Sequence, residues 1–316
     1  AIPMNTPQEA IEELDFAVGE LGFKAVMLQG AVRRAVPEAY SGVGRFGNSY
    51  YMDHLAMDSE YDYDPVWQRC LDHKVAVTTH SGAQGLPNRT SPSSFVFNHV
   101  GHFAQHHEGM CKAFLLGGVM RRFPDLRVAF LEGGVGWAVS LYNQIFEHWE
   151  KRNYDFMVEN LDPAKLDEDL IREMADKYGG GILNGDALLD ERKRSTMGGF
   201  VSSDVELDEF RRCEITKKED IRDLFVDPFY FGCEADDAMN AVAFNTKINH
   251  FGAKLKAFFG SDIGHWDVED MRHCVPDAYK NVAKGLFTED DFRDFMYTNP
   301  VELYTRQNPD FFKGTV

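Results

Sequence analysis

Four ionisable residues stand where an apolar run gives out. His80 closes "VAVTTH", Glu132 closes "LRVAFLE", Glu234 closes "DPFYFGCE" and Asp262 closes "LKAFFGSD", with His265 three positions further on. A neutral imidazole at a strand tip is a natural metal ligand or proton carrier. A carboxylate in the same place can bind a metal, take a proton from water, or do both. Glu132 precedes two glycines, which allow close backbone approach, so it suits a base, a ligand or a partner for a metal-bound histidine. His265 is either a partner behind the first ligands or a surface residue.

Each of these types also has an ordinary role. A lone strand-end histidine is more often satisfied by loop backbone, and a lone aspartate more often caps the next helix. Glu132 can pair with a rim arginine, and Glu234, followed by Asp236 and Asp237, resembles a solvated helix start. Asp267 is expected to cap a helix near "DVEDMRH". In "NHVGHFAQHHEG", His99, His102 and His106 fall at i, i+3 and i+7 and are expected on one helix face. That spacing is not the HExxH pattern, so a zinc site built by this helix alone is the weaker reading. No GxSxG and no phosphate-binding loop occurs.

The elements that must position these residues alternate. Thr6 and Pro7 open a helix over 6–22, and "FKAVMLQG" reads as a buried strand. Residues 31–63 read as a loop excursion. "DPVWQRCLDHK" is a helix, "VAVTTH" a strand, 81–94 a loop, and Phe95 to Phe123 one long helix. "LRVAFLEGG", "DPFYFGCE" and "LKAFFGSD" are strands. "GWAVSLYNQIFEHWEKR", "LDEDLIREMADKYGGG", "DDAMNAVAFNTKI" and "TEDDFRDFMYTNPVELY" are helical, and the stretch to about Gly199 is loop-like. Strands alternating with helices predict a parallel sheet. Repeated delivery of polar residues to strand C-termini predicts a (β/α)8 TIM barrel, whose active site lies on that face. An open doubly wound sheet is the alternative. Residues 1–316 are read as a single barrel domain with a charged excursion at about 151–225.

Composition narrows the function. The formal charge is −18, from 51 acidic and 33 basic residues, which argues against nucleic-acid and anionic-membrane partners. Five widely spaced cysteines form no CxxC pair, so reduced thiols and a cytoplasmic location are expected. A small-molecule substrate and a homo-oligomer are the expected partners.

At "TTHSG", "GGVMRRFPDLRVAFLEGGVGW" and "FFGSDIGHWD" the chain resembles the amidohydrolase-related family, in the branch containing aminocarboxymuconate-semialdehyde decarboxylase. "AIPMNTPQEAIEELDFAVGELGFKAVML" and "NPVELY" resemble the same branch. The resemblance implies a metal-bearing barrel, with His80 and Asp262 as metal ligands. The position of the decarboxylase's catalytic histidine is Glu132 here. The family's first-strand H-x-H is not found in the sequence, and "AIPM" corresponds to the end of the third strand, so the barrel is expected to lack its first strands here.

The resulting expectation is a metal-dependent hydrolase acting on a small cyclic or aromatic carboxylate through metal-activated water. Asp262, Glu132 and His265 are its catalytic candidates, and His80 and Asp262 its metal ligands. Zn2+ is the expected ion, with Mn2+ or Fe2+ as alternatives. Phe103, Trp137 and Trp266 suggest the flat substrate, although each suits core packing as well. Non-oxidative decarboxylation is the competing reaction. A metal-free barrel serving as a binding protein is the competing class, and 151–225 as a partner-binding or dimer arm is a further idea.

Overall fold

The computed structural model describes residues 1–35, 50–80, 90–194 and 207–315. Most of the loop expected at 81–94, and the end of the stretch leading to Gly199, lie outside the described residues. Contacts divide the chain into two compact units, residues 1–146 with 212–316, and residues 147–211.

The first unit is built on parallel strands β1 (Val26–Leu28), β4 (Val77–Thr79), β5 (Val128–Phe130), β6 (Phe229–Cys233) and β7 (Lys256–Phe259). Strands β2 (Val32–Ala35) and β3 (Tyr50–Asp53) form a separate antiparallel pair. The main sheet runs β1-β4-β5-β6-β7, each strand beside its successor. Strand order therefore never reverses, and the switch point that defines a doubly wound sheet is missing among the described strands. Helix-bearing crossovers in one continuing direction give the (β/α)8 architecture. Ile2 continues the sheet past β1 by a parallel bridge to Leu28, its N–H donating to Met27.

Strands β4, β5 and β6 are short and buried along their whole length, as parallel strands under helices must be. Val128, Ala129 and Phe130 are all fully buried. Ala76, Ala129, Tyr230, Phe258 and Leu303 pack into one cluster, which holds neighbouring strands in register. Register decides what the tips present. Thr79 sits opposite Phe130, and Phe130 opposite Phe231, so the residues just past β4 and β5 emerge side by side. The N–H of Leu131 donates to Thr79 O at 2.9 Å, carrying that pairing one residue beyond the strands.

Several local expectations are corrected. Residues 32–35 and 50–53 are paired strands, not loop, because the ladder between them satisfies backbone that the polar sequence "VRRA" would otherwise leave to water. The long helix expected from Phe95 to Phe123 is three, Phe95–His99, His102–Leu116 and Val119–Arg122. Gly101 and Gly118 break it, with φ of 72° and 77°, values that glycine reaches without Cβ strain. His99 therefore leaves the helix that carries His102 and His106, and the three share no single helix face. Ala238–Phe244 is a tighter 3-10 helix.

In the second unit, helices Glu168–Tyr178 and Gly185–Arg194 are tied through Arg172, whose Nε donates to Asp186 at 2.8 Å. The helix at 185–194 replaces the loop expected there. Met157, Ala175, Leu189 and Phe210 are buried apolar side chains of this unit.

Candidate active site

Three strand tips bring their ionisable residues together. His80, just past β4, bonds Glu132, just past β5, through its Nε2 and a Glu132 carboxylate oxygen. A bond to its own backbone also favours the charged ring. That bond to Glu132 raises the His80 pKa against the opposing effect of burial. The same bond holds the Glu132 carboxyl below its ordinary value. Each member of the pair thus favours the charged form of the other.

Asp262 stands past the tip of β7, within the electrostatic reach of both. Burial first, and then the negative charge of Glu132, push its carboxyl above the usual aspartate value. Next along, His265 Nδ1 lies 3.1 Å from Asp262 Oδ2 and 2.6 Å from Asp267 Oδ1. Bonding to Asp267 raises the His265 pKa. Asp267 was expected as a helix cap, but Asp270 performs that role, accepting from the Arg272 N–H. Its place in the cluster is legible only as the spacing D-x-x-H-x-D. Glu234, past β6, is raised by burial and by Glu132, and lines a cavity of about 340 Å³ with Asp262, Asp267, Asp270 and Asp277.

Glu132 and Asp262 share a second property. Their backbones are left-handed, with φ of 61° and 47°. Side-chain-bearing residues are held in that region only where their surroundings over-determine them, and such positions gather at functional sites. Behind Glu132 the glycine is required: a Cβ on Gly133 would lie 2.7 Å from His107 Nδ1 and 3.3 Å from Trp137 Nε1.

The histidines of the helix His102–Leu116 take no part in this cluster. His102, His106 and His107 are buried, and burial lowers His106 to about 4 and His107 to about 3. Phe103 separates them from the rim, its ring 4.6 Å from that of His80 and 6.5 Å from that of His107. Trp137 belongs to the core packing against Phe130 and Phe231. Trp266 is exposed and meets the Phe95 ring edge-on at 6.0 Å.

A sequence model of the amidohydrolase family, Amidohydro_2, matches residues 1–176. The chain belongs to this amidohydrolase family. Two solved structures share its fold. An amidohydrolase from Mycobacterium avium subsp. paratuberculosis K-10 is 16% identical with a TM-score of 0.53, over 96% of this chain and 56% of its own. A dihydroxybenzoic acid decarboxylase from Polaromonas sp. JS666, with bound manganese and the inhibitor 2-nitroresorcinol, is 16% identical with a TM-score of 0.54, over 99% and 70%. The chain thus spans little more than half of the first amidohydrolase. No curated protein matches it. Among the described residues no helix is long and apolar enough to cross a membrane.

For a divalent cation the donor chemistry of the loop after β7 fits. One atom each from Asp262, His265 and Asp267 lies within 4.8 Å of the others, a mixed nitrogen and oxygen set.

Proposed function

We propose that this amidohydrolase is a metal-dependent hydrolase of a small cyclic or aromatic carboxylate. The observation that carries the reading is the convergence of the His80–Glu132 pair and Asp262 past the C-terminal ends of β4, β5 and β7. A bound divalent cation would supply a Lewis acid that polarises the substrate's carbonyl and acidifies water. Asp262, common to the resemblance and to the donor set, would hold it.

The protein's own residues supply the proton transfers. Asp262, with its raised carboxyl, or Glu132 takes the proton from the attacking water as the new C–O bond forms. His80, whose charged form Glu132 favours, returns a proton to the leaving group as its bond to carbon breaks. The rim is rich in carboxylates, so an anionic substrate is repelled unless a cation offsets them. Phe103 beside His80 and Trp266 beside Phe95 offer ring faces to a flat substrate.

Non-oxidative decarboxylation is the second reading, favoured by the protonated His80. There the C–C bond breaks, carbon dioxide leaves, and the imidazolium proton takes its place on carbon. A homo-oligomer and a cytoplasmic location belong to the same proposal.

The first experiment is metal content of the purified protein by plasma mass spectrometry, followed by turnover of cyclic and aromatic carboxylates. About one divalent ion per chain is expected. Ring opening or amide cleavage then supports hydrolysis, and carbon dioxide release supports decarboxylation. A folded protein that carries no metal and takes up none sinks both.

A further inference from the structure

The turn that carries Glu132 is held from several sides. Glu132 and Gly134 have φ of 61° and 65°, and for a residue with a side chain that conformation persists only where the surroundings impose it. The Leu131 N–H donates to Thr79 O at 2.9 Å, and the Gly134 N–H to Gly232 O at 3.2 Å. These bonds tie the two ends of the turn to β4 and β6. Its middle, Gly133, rests on the His107 ring. A Cβ there would meet His107 Nδ1 at 2.7 Å and Cε1 at 3.5 Å, with Trp137 Nε1 at 3.3 Å.

Histidine is a costly residue for that place. His107 is fully buried, and neither of its ring nitrogens has a hydrogen-bond partner among the described residues; the same holds for the buried Trp137 Nε1. Phenylalanine would fill the space without burying polar atoms, so the nitrogens need a reason. Their chemistry supplies one. An indole Nε1 only donates, and a neutral imidazole accepts at one nitrogen. Burial first, and then the charges of His106 and His80, keep the His107 ring neutral. Acceptor and donor both stand close to one point, the place of the absent Gly133 Cβ, and a single water is enough to join them.

We infer that His107 is a positioning residue: bridged to Trp137 beneath Gly133, its ring fixes the turn that aims Glu132 at His80. This rests on the proposed role of Glu132 in proton transfer and names a residue on which that role depends. His107 touches no reacting atom. It acts through the backbone of 132–134.

Amide hydrogen exchange in the full chain, followed by nuclear magnetic resonance, tests the assignment without a substrate. His107→Phe keeps a ring and removes the nitrogens. It should speed exchange of the Gly134 amide and of the Trp137 indole N–H by about tenfold, the effect of one lost hydrogen bond. The Val128 amide, which bonds Pro228 O in the sheet, should exchange as in the wild type. His107→Asn sets an amide group near the place of Nδ1 and should keep most of the protection. If His107→Phe loosens Val128 as well, Trp137→Phe, which removes the donor instead, is read in its place. Wild-type exchange at Gly134 in the phenylalanine variant overturns the assignment. An asparagine variant as fast as the phenylalanine one overturns it too, because the acceptor then counts for nothing. With the substrate found by the turnover screen, His107→Phe should lower kcat about tenfold and leave KM unchanged. An unchanged kcat in a variant whose Gly134 amide is loosened overturns the positioning role. A wild type without turnover removes the proposed reaction and leaves the exchange result to decide whether His107 fixes the turn.

Discussion

The rim of the barrel and the helix beneath it hold histidines in opposite states. On the rim, His80 and His265 each meet a carboxylate, and both pKa values rise. On the helix His102–Leu116, His106 and His107 are buried, no carboxylate among the described residues raises them, and both fall. The Phe103 ring lies 4.6 Å from that of His80 and 6.5 Å from that of His107. The same side chain is thus made a proton donor or a neutral packing unit by whether its partner carries charge. Burial alone does not make a histidine functional.

Removing the carboxylate is the strongest way to break this contrast. Glu132→Gln should cost about 10²- to 10⁴-fold in kcat/KM for the substrate found by the turnover screen. It should also move His80 to the other group, since burial persists and the bond that opposed it is gone. Titration of the His80 ring by nuclear magnetic resonance reads this as a pKa falling below its ordinary value. A pKa that stays raised would mean that Asp262 sustains the charge instead.

Acid stability sharpens the contrast from the other side. His106 is neutral in the fold, with its pKa lowered from 6.5 to about 4. Between those values the unfolded chain binds the extra proton and the folded one does not, so stability falls as pH drops from about 6.5 toward 4. The loss attributable to His106 is on the order of 3 kcal/mol. His80 works in reverse: its raised pKa contributes stability that is lost as pH rises through it. Urea unfolding of the wild type and His106→Gln across pH 4–7 checks this. The variant should show the shallower slope, and equal slopes would mean that His106 titrates normally in the fold.

The smallest effect concerns backbone rather than charge. Glu132→Gly and Glu132→Ala both delete the carboxylate, but only glycine relieves the left-handed conformation. The glycine variant should be more stable by about 1 kcal/mol, read as a higher urea midpoint. Equal midpoints would show that the loop relaxes once the bond to His80 is lost.

What could be read from sequence follows the range of each interaction. His80, Glu132 and Asp262 were legible because strand periodicity and an ionisable terminus are local signals. The bond between His80 and Glu132 was not, because it depends on the register of β4 against β5. The helix breaks at Gly101 and Gly118 were missed because glycine within an apolar-periodic run is compatible with a continuous helix. The hairpin of β2 and β3 was missed for a related reason. "VRRA" has no alternation of its own, and its partner lies beyond a long connection. Asp267 was visible but misread, since an aspartate before a helical stretch has a commoner role.

The sequential order of the sheet has a kinetic consequence. Every strand pairs with its successor, so each pairing closes a loop no longer than the intervening chain, and the longest of these lies between β5 and β6. Closure entropy grows with that length. The compact unit at 147–211 falls entirely within this stretch. Once condensed, it shortens the effective tether between Phe130 and Phe229. A segment that supplies none of the site residues thereby sets how readily the Glu132 tip gains the neighbouring strand that anchors it.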